Sequence, residues 1–125
     1  MEILGNGVDI IQNSRIKKLI RNKKFIFRVF SKNEINESKK TKNKANFFAK
    51  RFAAKEAFVK SIGLGFRRGI NLKDISVHKD KLGKPNIVLN SKVKKVLSKK
   101  FSSNRFKIFL SLSDEKDYSI AYVIL

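Results

Sequence analysis

Asp9 interrupts the apolar run "GNGVDII" at residues 5–11, and Glu56 interrupts "NFFAKRFAAKEAFVKSIG", a stretch crowded with phenylalanine. A carboxylate taken from water without a partner costs on the order of several kcal/mol, so each acid needs a compensating group. Two chemistries would satisfy them. Each could pair with its own Lys or Arg, or both could converge on one divalent cation. With no Cys and a single His, His78, the second option offers oxygen ligands only. That suits Mg²⁺, which takes one or two carboxylates and fills its remaining positions with water and substrate phosphate. Asp9 and Glu56 lie 47 positions apart and form no metal motif by themselves, so spacing leaves both readings open. The neighbours add weight to the second. Lys60 follows Glu56 by one helical turn, and Lys55 is adjacent. The stretch then runs into residues 63–69, "GLGFRRG", with three Gly and two Arg. Glycines let backbone N–H groups approach a phosphate, and arginines supply charge-assisted hydrogen bonds. Acids for a metal, a lysine and a basic glycine loop together describe a site for a nucleotide-like diphosphate.

The elements that must position these groups follow from periodicity. Residues 2–11 read as a buried strand, with Gly5 and Gly7 permitting a bulge or close approach of another group. Asn13 or Ser14 can cap a short helix with Ile16, Leu19 and Ile20 on one face. An aromatic stretch covers residues 25–30, and Ser31 followed by Glu34 matches a capping box, so a helix is expected from about Lys32. Lys39 to Lys44 reads as a basic break. A long helix is expected over 46–62, closed by Gly63, and on its wheel Glu56 falls within the arc of Phe48, Phe52 and Val59. Residues 75–77 and 87–89 read as strands around the turn 82–85, 91–101 as a Lys-rich amphipathic helix, and 107–112 with 118–125 as a hairpin. Helices and antiparallel strands intermix without the alternation of a parallel sheet. The fold class expected is α+β, one domain over 1–125, with a mostly antiparallel sheet packed on the central helix.

Composition bounds the partners. The net charge of +20, from 30 basic and 10 acidic residues, attracts polyanions: nucleic acid, anionic membrane, nucleotide phosphates or an acidic protein. Since 23 of the basic residues are Lys, a solvated face accounts for part of that charge. No apolar run approaches a membrane span and no secretory signal pattern is visible, so no membrane association and a cytoplasmic setting are expected.

Read together, "GNGVDIIQNSRI" and "RFAAKEAFVKSIGLG" resemble the holo-acyl-carrier-protein synthase family, the small 4′-phosphopantetheinyl transferases. Their pattern G-x-G-x-D-[IVL], then R-[IV], is matched by Gly5, Gly7, Asp9, Ile10 and Arg15-Ile16. The pattern R-F-A-A-K-E-A-x-x-K-[AS]-x-G-x-G is matched by Arg51 to Ala57, Lys60, Gly63 and Gly65. "FRVFSKNE" and "LGKPNIVL" resemble two further family segments, and the likeness runs from about residue 3 to the C-terminus. The resemblance implies transfer of 4′-phosphopantetheine from coenzyme A to a serine of apo-acyl-carrier protein, releasing adenosine 3′,5′-bisphosphate and supporting fatty acid biosynthesis. It implies Mg²⁺ on Asp9 and Glu56, with Lys60 stabilising the diphosphate and Lys55 or Arg51 binding or ordering that end of the site. It further implies that Gly63, Gly65 and Arg67 contact the nucleotide and that Lys42 or Lys44 meets the 3′-phosphate. Arg15, Lys17, Lys18 and Arg21 would dock the acidic carrier, and the family's members are typically trimers with coenzyme A sites at subunit interfaces.

One departure is visible. Many members carry His where this chain has Asp114, after "LSLS", and His78 lies in a different strand and reads as a structural histidine. A base would then be a carboxylate, a metal-bound water or the substrate's own surroundings. The rival class is a small RNA- or DNA-binding, ribosome-associated protein, since lysines neutralise phosphates regardless of sequence. That reading leaves Asp9 and Glu56 without a task, so nucleic acid is not the expected partner.

Overall fold

A computed structural model describes residues 2–63 and 69–125. The order is β1 (Asn6–Gln12), α1 (Asn13–Leu19), α2 (Lys23–Val29), α3 (Lys32–Ser38) and α4 (Lys44–Ile62), then a 3₁₀ turn at Leu72–Asp74. β2 (Ile75–Lys79), β3 (Pro85–Leu89), α5 (Ser91–Phe101), β4 (Phe109–Asp114) and β5 (Tyr118–Ile124) complete the chain. The strands form two antiparallel sheets, β1-β5-β4 and β2-β3, and α4 packs across the inner face of the first. The class is α+β, as the pattern of elements predicts.

Small residues make that packing close. Ala49, Ala53 and Ala57 are wholly buried, and Gly5 and Gly7 of the facing strand present no Cβ. A methyl group built on Gly7 would overlap the Ala57 carbonyl oxygen, and one on Gly5 the Ser61 carbonyl oxygen. The glycines that read as sites of close approach therefore meet the backbone of α4. Asp9 is two residues further along the same face of β1, so this contact decides where its carboxylate falls relative to the helix. Around the rest of α4 lie the aromatic residues, with Phe30 stacked against Phe48 at 4.5 Å between ring centroids and Phe25 bridging Phe30 and Phe52.

Helix ends follow their chemistry, with exceptions. Ser31 and Glu34 make the expected capping box, and Gly63 adopts φ 72°, a left-handed conformation that glycine enters without steric cost, to close α4. α4 begins two residues earlier than predicted because Asn43 accepts from the Asn46 amide. The expected cap at Asn13 or Ser14 does not form. Gln12 occupies the N-cap position, and the Asn13 side chain instead donates to the Glu115 and Lys116 carbonyls at 3.1 Å and accepts from Ser119 Oγ. Buried near the β4–β5 turn, the Asn13 side chain ties the start of α1 to that turn. The first strand is also shorter than residues 2–11, since ladder pairing with β5 begins at Asn6.

Candidate active site

Asp9 and Lys60 meet on one flank of α4, within electrostatic reach of Glu56. Lys60 Nζ donates to Asp9 Oδ1 and to the Val8 carbonyl, both at 3.1 Å. Glu56 is half-buried and has no ion-pair partner among the described residues. Burial pushes its carboxyl above the ordinary glutamate value, and the nearby Asp9 charge pushes it further, while Lys60 and Arg15 oppose the rise. Two acids distant in the chain thus feel one another's charge. Neither simple pairing nor convergence alone describes the result: Asp9 shares Lys60, and Glu56 keeps an unpaired carboxylate beside it.

The donor set fits a hard cation of low protein coordination. No group of three or more His, Cys, Asp or Glu residues gathers among the described residues, so the protein offers two carboxylates. That number leaves room for water and substrate oxygens, the pattern by which Mg²⁺ binds phosphate substrates.

The remaining predicted residues divide. Arg15, Lys17 and Lys18 are exposed on α1 and Arg21, also exposed, lies just beyond it; of the four, Arg15 acts on the Glu56 carboxylate through its charge. Lys42 is exposed, and Lys44 donates to the Ser38 and Thr41 carbonyls at the end of α3. Gly63 is the helix terminus. Gly65 and Arg67 lie outside the described residues.

Lys55 and Arg51, expected to bind or order that end of the site, both point into the interior of this chain. Lys55 is fully buried, and its three donors go to Glu34 Oε1 (2.5 Å), the Ile75 carbonyl (2.6 Å) and the Leu72 carbonyl (3.1 Å). Its neighbour Glu56 faces elsewhere because successive helical residues are about 100° apart. Arg51 is 3% exposed, with its guanidinium 3.5 Å from the Phe47 ring centroid and Nη1 donating to the Phe47 carbonyl. Its Nε is buried and has no partner among the described residues, and burial lowers the guanidinium from its ordinary value.

A second basic feature escaped the sequence reading. Lys50, Lys79 and Lys84 line an open depression of about 400 Å³ with Gly83, Pro85, Leu110, Ser111, Leu112 and Asp114. Asp114, the residue at the family's His position, accepts from Asn46 Nδ2 at 2.6 Å and lies 3.8 Å from Lys50 Nζ. Burial, and then the positive charges of Lys50 and Arg51, lower the Lys79 ammonium from its ordinary value. Nothing in the sequence separates these lysines from the other exposed ones; the pairing of β2 with β3 assembles the wall. His78 is half-buried, with Nε2 2.7 Å from Ser76 Oγ.

The sequence model of the 4′-phosphopantetheinyl transferase superfamily matches residues 5–123. The chain belongs to that superfamily. It is similar to the holo-[acyl-carrier-protein] synthase of Pelagibacter ubique, at 58% identity over 125 residues covering 100% of this chain and 98% of that protein. The fold is similar to the crystal structure of holo-[acyl-carrier-protein] synthase from Neisseria meningitidis, with TM-score 0.89, 34% identity and 98% of each chain covered. It is similar as well to the Bacillus anthracis synthase in complex with CoA (3′,5′-ADP), with TM-score 0.80, 34% identity, and 98% and 95% covered. Within the superfamily motif, the structure divides the labour. Ala57 admits the glycine strand, Lys55 serves the interior, Lys60 bonds Asp9, and Glu56 feels the Asp9 charge.

Proposed function

We propose that this chain transfers 4′-phosphopantetheine from coenzyme A to a serine of an apo-acyl-carrier protein. The observation that carries the reading is the contact of Lys60 with Asp9 within electrostatic reach of Glu56, in a chain of this superfamily. The serine oxygen attacks the β-phosphorus of the pyrophosphate, the bond to the bridging oxygen breaks, and adenosine 3′,5′-bisphosphate leaves. The serine proton passes to the site or to solvent. Asp9 and Glu56 would hold Mg²⁺, which would supply charge neutralisation and orientation of the diphosphate. Lys60, which donates to Asp9 and is more than half exposed, would offer its ammonium to a phosphate oxygen of the substrate. The lysine-lined cavity takes anionic groups of the nucleotide.

The exposed cations Arg15, Lys17, Lys18 and Arg21 dock the acidic carrier beside the acids and speed encounter. The product supplies fatty acid biosynthesis, and the cytoplasm, which holds coenzyme A and the carrier, is the setting proposed. No helix among the described residues is long and apolar enough to cross a membrane.

A homotrimer is part of the proposal. The outer face of β1-β5-β4 exposes Val8, Ile10, Phe109, Ile120 and Tyr122, an apolar surface suited to burial against other copies. The site also divides about α4: Glu56 and Lys50 project about 120° apart around the helix axis. A nucleotide reaching both the carboxylates and a lysine cavity would take the second from a neighbouring chain. The test is purified protein with Mg²⁺, coenzyme A and an apo-carrier, read as mass added to the carrier. No added mass would refute the activity. Light scattering of wild type and Ile120→Asp tests the assembly, with trimer and monomer as the respective expectations; a wild-type monomer would refute it.

A further inference from the structure

The hairpin β2-β3 carries Lys79 and Lys84 of the anion cavity, yet it shares no ladder hydrogen bonds with the β1-β5-β4 sheet. A lone two-stranded hairpin is marginal in water, so tertiary contacts must hold it. Ile75, Val77 and Leu89 bury their side chains in the core. Such burial is non-directional and does not by itself fix how far the hairpin slides or tilts. Directional bonds do. Lys55 Nζ bonds the Leu72 and Ile75 carbonyls at the entry to β2, while Glu34 Oε2 accepts from the Val77 amide at 3.0 Å. Glu34 Oε1 accepts both Lys55 and the Ser31 amide, so the joint ties α3, α4 and β2 together. One strand position on, Ser31 Oγ meets Ser76 Oγ at 2.7 Å, and Ser76 Oγ meets His78 Nε2. Lys79 follows immediately, opposite Pro85 in the ladder.

We propose that Glu34 and Lys55 are positioning residues for nucleotide binding: their buried joint sets the hairpin against α4 and thereby places the lysines of the cavity. This rests on the reading of that cavity as the nucleotide's anion site. Both side chains are fully enclosed and touch no part of an open site, so they act through the hairpin. The carboxylate flank of α4 is the side the joint does not reach.

The test compares the full chain with the charge-balanced double variant Glu34→Gln/Lys55→Met, which avoids leaving a single buried charge. KM for coenzyme A should rise about tenfold, equivalent to about 1.4 kcal/mol, with kcat within about twofold. Amides of 75–79 and 85–89 should exchange faster while those of β1 and β5 keep their protection. An unchanged KM would overturn the proposal, as would a fall in kcat alone, uniformly faster exchange or failure of the variant to fold. A companion variant, Lys79→Gln/Lys84→Gln, keeps the joint and should raise KM as well. If it does and the joint variant does not, positioning by the joint is wrong while the cavity's role stands. If the lysine variant leaves KM unmoved, the anion-site reading fails and the positioning proposal with it.

Discussion

Helix α4 carries two lysine–carboxylate centres five residues apart, and they are built in opposite ways. At Lys55 the carboxylate of Glu34 lies beneath the surface, and every donor of the ammonium meets a fixed acceptor. At Lys60 the ammonium is more than half exposed and reaches Asp9 and a backbone carbonyl. Beside it, Glu56 retains a carboxylate with its ionisation opposed by burial and by Asp9. A closed pair has no valence left for a ligand, and burying it is seldom a net gain in stability. An open group with one acid to spare can exchange partners. The same residue types on one helix therefore yield a joint in one place and a candidate reaction centre in the other, according to which neighbours saturate them.

The sharpest way to break this contrast is at the open centre. Asp9→Ala should lower kcat for carrier modification at least about a hundredfold, the scale set by losing one group that stabilises developing charge. Its circular dichroism should remain native. Full activity would remove the carboxylates from the chemistry. At the closed centre the expectation reverses. Glu34→Gln strands the Lys55 charge and should destabilise the fold by about 3 to 5 kcal/mol, read by chemical denaturation; an unaltered midpoint would show that the joint is not a charge partnership.

A smaller effect is expected at the rim. Arg15→Glu should raise KM for the carrier while leaving KM for coenzyme A alone, and the wild-type carrier KM should climb with ionic strength as exposed charges are screened. A flat salt profile would argue against docking by α1. The smallest effect separates function from stability within one residue. The raised carboxyl of Glu56 means that, between its unfolded and folded values, the folded state holds the proton more tightly. Stability is therefore lost as pH rises through that window and stays lowered above it. Glu56→Gln should thus abolish transfer yet melt at or slightly above the wild-type temperature at neutral pH, with the difference vanishing in acid. A clear drop in melting temperature at neutral pH would contradict the assignment.

How much was legible in advance differs between the two centres for a physical reason. Asp9 and Glu56 stood out because a charged residue in an apolar pattern is locally anomalous, and the glycines beside Asp9 announced a close approach. Glu34 matched a capping box and was read as only that. One of its oxygens does make the cap, but both also serve Lys55 and Val77, groups far away in the chain. Lys55 shared a motif with Glu56 and was read as sharing its surroundings, although adjacent helical positions face different neighbours.

The helix stop at Gly63 and the capping box at Ser31 were determined by local residue order, because each depends on neighbours within about a turn of chain. Tertiary structure alone decided that Lys60 joins Asp9, that Lys55 is sealed against Glu34, and that Lys50, Lys79 and Lys84 share a cavity. Side-chain partnership depends on which surfaces meet across the sheet and helix, and the saturation of a charge is a property of that meeting rather than of its sequence neighbours.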